Sequence, residues 1–145
     1  MSYSIKAGVK TYQIEVEDVE NGVINLRFNP ADQNLLIRYN NFSEMLDKKL
    51  DELPKDDIAL DENGMPKAKE VAERIKQIGD IVCESYDEIF GAGTSDELFK
   101  YCHPMTIRDG EPFAVSIGRV ISQIIKDNGE KERPKYERYL KKYQR

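Results

Sequence analysis

Tryptophan is absent from this chain of 145 residues, and histidine, cysteine and long apolar runs are scarce. A lone His103 beside Cys102, with only Cys83 elsewhere, leaves a tetrahedral zinc site short of ligands. The same pair fails as nucleophile and base, because neighbours in sequence rarely face one another. Two cysteines make no disulfide framework, and no stretch approaches the roughly 20 apolar residues of a membrane-spanning helix. The N-terminus MSYSIKAGVK lacks the apolar segment of a signal peptide. These absences point to the cytoplasm, with no metal, no cofactor and no membrane contact.

Two other patterns stop short of chemistry. Asp61, Asn63, Gly64 and Glu70 imitate part of a calcium loop, but Ala59 holds the first ligand position and Pro66 interrupts the run. Gly91-Ala92-Gly93-Thr94-Ser95 looks faintly phosphate-binding, yet no strand precedes it and no lysine follows in the required place. Carboxylates sit beside Lys and Arg as on solvated helix faces, and no acid–base pair stands out. The chain reads as a non-enzyme.

The net charge of -5 divides unevenly. Residues 131–145 hold seven Lys/Arg against two Glu, leaving an acidic body of fifteen bases and twenty-five acids. An acidic body disfavours nucleic acid, which needs a basic surface. In the basic end Tyr136, Tyr139 and Tyr143 form a stripe with Leu140. Such a stripe can stack on a single strand, dock on a protein helix or fold onto the acidic body; the charge of the body favours protein contact.

Apolar periodicity predicts an α+β fold, mostly α: an N-terminal β-hairpin followed by a bundle of four to five helices. Tyr12, Ile14 and Val16 alternate, as do Ile24, Leu26 and Phe28 after Asn21-Gly22, the strongest short signal for a tight hairpin turn. No third strand is legible, so the hairpin is expected to pair or pack across a subunit boundary in a homo-oligomer. Asn29-Pro30 predicts the cap and first turn of a helix through Leu35, Tyr39, Phe42, Leu46 and Leu53, ending before Pro54. Residues 54–66 read as a loop. A second helix is expected from near Pro66 to Phe90, with Val71, Ile75, Ile78, Val82 and Ile89 on one face.

Gly91 should close that helix, and Thr94 or Ser95 should cap a short helix over Asp96–Cys102. After a turn at Asp109-Gly110, the run Glu111–Asp127 spreads Phe113, Ile117, Val120, Ile121, Ile124 and Ile125 over more than one stripe, which predicts a helix that is either central or covered in part by a partner. Asn128-Gly129 and Arg133-Pro134 predict a break before a separate basic helix. The expected organisation is thus a hairpin-plus-helix domain over 1–130 and a basic Tyr-rich helix or tail over 131–145.

Two segments, Phe28-Asn29-Pro30 and Phe90-Gly91-Ala92-Gly93-Thr94-Ser95-Asp96, resemble the small tail assembly chaperones of long-tailed phages and prophages of Gram-positive bacteria. The likeness spans residues 10–125 in order of elements. It implies a non-enzymatic protein of the host cytoplasm that coats the apolar helical tape-measure protein and gives way to tail-tube protein. The partner-binding residues expected are Phe113, Ile117, Val120, Ile121, Ile124, Ile125, Tyr136, Tyr139, Leu140 and Tyr143. A different class remains open: an adaptor or inhibitor, phage or bacterial, that binds one folded host protein.

Overall fold

The computed structural model describes residues 1–51, 62 and 68–143, and the side chains of these except at 68–71 and 143. Leu53, the loop over 54–66 apart from Glu62, the residues Asp61, Asn63 and Gly64 of the calcium-like set, and the side chains of Glu70, Val71 and Tyr143 lie outside the described residues. Within them the fold is α+β, a hairpin followed by four helices.

Strands β1 (Lys10–Glu15) and β2 (Val23–Phe28) pair antiparallel, with Ile14 opposite Ile24 and Tyr12 opposite Leu26. Asn21-Gly22 is not the tight turn its composition predicts. Residues 16–22 form the connection, held by Val16 N–H to the Gly22 carbonyl at 2.9 Å. Hydrophobic register explains the override. A two-residue turn at Asn21-Gly22 would set Glu17 opposite Leu26 and Glu15 opposite Phe28, placing carboxylates on the core face. Gly22 serves packing instead: a Cβ there would lie 2.9 Å from the Val16 carbonyl oxygen.

Helix α1 (Gln33–Asp51) starts later than expected. Its cap is Asp32, whose Oδ1 accepts the N–H groups of Asn34 and Leu35, while Asn29 forms a preceding turn by accepting Ala31 N–H. Helix α2 (Ala68–Phe90) ends at Gly91, at φ 115. Helix α3 is shorter than expected, Thr94–Leu98. A further two-stranded ribbon, β3 (Ile107–Arg108) with β4 (Glu111–Pro112), turns through Asp109 at φ 51 and Gly110 at φ 81, but does not join the first sheet. Two central residues at positive φ make this the tight hairpin turn.

Helix α4 runs unbroken over Phe113–Tyr143. Its first N–H groups are satisfied by the carbonyls of Thr106 and Pro104, each at 2.8 Å. The predicted break is absent: Gly129 and Pro134 both lie inside the helix. Ion pairs Arg133–Glu137 and Lys135–Glu132 bracket the proline, and the surrounding Glu, Lys and Arg are good helix formers.

The core joins Ile24, Leu26 and Phe28 to Tyr39, Phe42, Leu46, Ile78, Val82, Tyr86, Leu98, Ile117 and Ile121. Tyr86, on no one's apolar count when tyrosines are scored as polar-tipped, is the largest fully buried side chain. Its ring meets those of Phe42, Phe90 and Phe99 at centroid distances of 5.0–5.8 Å. Phe28 meets Phe90 at 5.3 Å, tying the hairpin to the end of α2.

Candidate functional site

The segment from Phe90 to Tyr101 is a clasp between helices and hairpin. Gly93, at φ 88, is the residue before α3, and Asp87 of α2 supplies the missing cap: its carboxylate accepts Ser95 N–H at 2.7 Å and Ser95 Oγ–H at 2.9 Å. The hydroxyls therefore do not cap as expected; Thr94 Oγ1–H donates back to the Gly91 carbonyl at 2.7 Å. Asp96 is exposed in the first turn, where a negative charge suits the helix dipole.

Beyond the cap, α3 covers the outer edge of β2. Asn25 N–H donates to Glu97 Oε1 at 2.9 Å, and Val23 N–H donates to the Tyr101 hydroxyl at 3.3 Å. Lys100 bonds the same Glu97 oxygen at 2.7 Å. The lysine ammonium first, and the Asn25 amide second, hold the Glu97 carboxyl below its ordinary value. Among the described residues no such cover lies along β1. Phe28, Asn29, Pro30, Phe90, Gly91, Gly93, Thr94, Ser95 and Asp96 thus form the joint between hairpin and helices, a structural role.

The surface that faces outward is on α4. At 100° per residue, positions 114, 117, 121, 125, 132, 136, 139 and 143 share an arc of about 100°. In the first half this arc is core: Ile117 is 3% exposed and Ile121 0%. Both were expected at the partner face and are instead sealed within the chain by α1, α2 and the hairpin. Phe113, half-buried, stacks edge-on against Phe99 at 6.2 Å. Ile124 and Ile125 are half-buried and Val120 is 37% exposed. In the second half the same arc emerges, with Tyr136 at 62% and Tyr139 at 56% exposure, and Leu140, at 36%, borders it.

A groove of about 500 Å³ separates α1 from the first half of α4. Tyr39, Phe42, Leu46 and Tyr86 make its apolar floor, with Asp47 on one wall and Arg119 and Lys126 on the other. Tyr39 O–H donates to the Gly118 carbonyl at 3.0 Å across it. Burial pushes the Tyr39 and Tyr86 phenols up, so both stay neutral. A second cavity, about 590 Å³, lies where residues 6–10 and Asn29–Ala31 face Asn128, Glu132, Lys135 and Tyr136. It places the base of the protruding half of α4 beside the N-terminal segment.

The cysteines are free and half-buried, and burial is the first cause raising both thiols. The His103 ring packs where a Cβ on Gly79 would stand, 2.6 Å from its Cε1, and its Nδ1 accepts Met105 N–H. Among the described residues no group of three or more His, Cys, Asp or Glu is arranged to hold a metal, and no helix is long and apolar enough to cross a membrane.

Sequence periodicity missed Asp87, Glu97 and Tyr101 as the clasp. No local signal marks them, since Glu97 and Tyr101 reach backbone more than 70 positions away. Residues 21–145, which hold β2, the clasp and all of α4, match the profile of a family of unknown function (DUF6673). The chain belongs to that family. No curated protein and no solved structure matches the chain.

Proposed function

We propose that this chain is a non-enzymatic assembly chaperone that holds an apolar helical segment along α4, and that the segment belongs to a tape-measure protein awaiting tail-tube subunits. One observation carries this reading: the apolar arc of α4 continues into the second half of the helix and exposes Tyr136 and Tyr139 on the face that is core one half-helix earlier, with Leu140 at its border. An apolar helix is recognised by an elongated face of that kind, with anchors one turn apart.

The dimensions suit a transient hold. Residues 126–143 span about 27 Å and a helix is about 10 Å wide, a footprint on the order of 300 Å². That is well under the roughly 800 Å² per partner of a stable complex. Binding therefore gains from several copies along one long client and yields readily to a competing polymer. The basic side chains around the stripe, Lys135, Lys141 and Lys142, keep it hydrated until the client arrives.

Co-expression with an apolar helical fragment of a tape-measure protein is the test. Wild-type chain should co-purify with the fragment and keep it in the supernatant, whereas Tyr136→Asp with Leu140→Asp should lose it with an unchanged circular-dichroism spectrum. Equal recovery by the double variant, or no recovery by wild type, rejects the reading.

A further inference from the structure

The two edges of the hairpin are not equivalent. Along β2 the outward N–H groups of Val23 and Asn25 are taken by Tyr101 and Glu97. In an antiparallel pair, residues alternate between exchanging backbone bonds and pointing them outward, and opposite residues do the same together. Because Val23 and Asn25 point outward, so do their partners Glu15 and Gln13, and Thr11 with them. Among the described residues no side chain or backbone group bonds these three N–H groups, so β1 presents an open ladder.

The segment before β1 has the complementary character. Tyr3, Ile5 and Ala7 alternate with Ser2, Ser4 and Lys6, a strand pattern, yet Tyr3 and Ile5 are over 89% exposed in no regular structure. It is held away from its own edge: Asn29 Nδ2 donates to the Ala7 carbonyl at 2.7 Å, and Gly8, at φ 88, packs against the same side chain at the start of α1. Its charge also fits. Lys6 has no accompanying acid in residues 2–9, while β1 and its connection present Glu15, Glu17 and Glu20.

We propose that residues Ser2–Ala7 of one copy add as a strand to the outer edge of β1 in a second copy, reciprocally, giving a symmetric dimer. Six residues match the six of β1. Added there, Tyr3 and Ile5 extend the sheet face that already carries the half-buried Tyr12 and Ile14, and the exchange closes both open ladders under one two-fold axis. The dimer needs no client, so it stands or falls apart from the chaperone reading.

Light scattering and hydrogen exchange on the full chain decide it. Wild type should run at twice the 16.7 kDa of the chain, with slow exchange at Thr11, Gln13 and Glu15. Ile5→Asp and Gln13→Pro should each halve the mass and release those amides while leaving the helical spectrum intact, since proline is tolerated where an edge N–H points outward. If Gln13→Pro unfolds, deletion of residues 2–7, which contribute nothing to the core, replaces it. A monomeric wild type, a dimer that survives Ile5→Asp and the deletion, or a monomer with these amides protected by its own arm would each overturn the proposal.

Discussion

Residues 113–125 and 126–143 of α4 carry apolar side chains on one face of one helix, but only the first half has a body to bury them. In the first, Ala114, Ile117 and Ile121 close against α1, α2 and the hairpin. In the second, Tyr136 and Tyr139 continue the face into solvent, with Leu140 at its border. Periodicity announces that a face is meant to be covered; it does not say whether by the same chain or another. The difference also separates two costs. The buried side chains Ala114, Ile117 and Ile121 that stabilise the fold lie in the first half, and the second half holds exposed ones.

The largest effect should come from placing one charge in each half. Ile121→Asp buries a carboxylate without a partner and loses a side chain worth about 1.5–3 kcal/mol, so the total should exceed about 4 kcal/mol and leave little folded protein. Leu140→Asp should move the melting temperature hardly at all. A Leu140→Asp chain that melts as early as Ile121→Asp would erase the distinction between the halves.

A smaller contrast uses glycines. A Cβ on Gly118 would sit 3.2 Å from the Tyr39 hydroxyl, whereas nothing lies within 4 Å of one on Gly129. Gly129→Ala should gain close to the full helix preference of alanine, about 1 kcal/mol, seen as slower amide exchange around residue 129. Gly118→Ala should gain less or lose stability, because Tyr39 must shift and its bond to the Gly118 carbonyl lengthens. Equal gains at both positions would mean that α1 does not press on α4.

The smallest effect is acid-dependent and belongs to neither half. Glu97 has its carboxyl depressed by Lys100 and by Asn25 N–H, so its contribution is complete above the ordinary glutamate range and is lost as pH falls through the depressed value. Both groups are largely exposed and the contribution is small. Acid should speed exchange at the Asn25 amide relative to Glu97→Gln, with α4 unaffected; identical pH profiles for the two proteins would show that Glu97 does not hold β2.

Much of this architecture was legible from periodicity: the hairpin, α1, α2 and the apolar breadth of α4. What periodicity could not supply were choices between competing local signals. Asn21-Gly22 and Asp109-Gly110 have the same turn chemistry, yet only the second makes a two-residue turn, because at the first the core register of Ile14 with Ile24 prevails. Pro134 reads as a break, but the helix-forming residues on both sides carry α4 through it. Of the partner face read from sequence, Ile117 and Ile121 proved to be core, while Val120, Tyr136, Tyr139 and Leu140 are on the surface. Distinguishing them requires knowing how far α1 and the hairpin extend along α4, which is a tertiary fact.

Hydrogen exchange of the full chain, alone and with an apolar helical peptide from the tape-measure protein, tests the central claim most directly. The account predicts new protection confined to residues 126–143, with the amides of residues 113–125 already slow and unchanged. Protection appearing instead in α1 and the first half of α4, or nowhere, would contradict it.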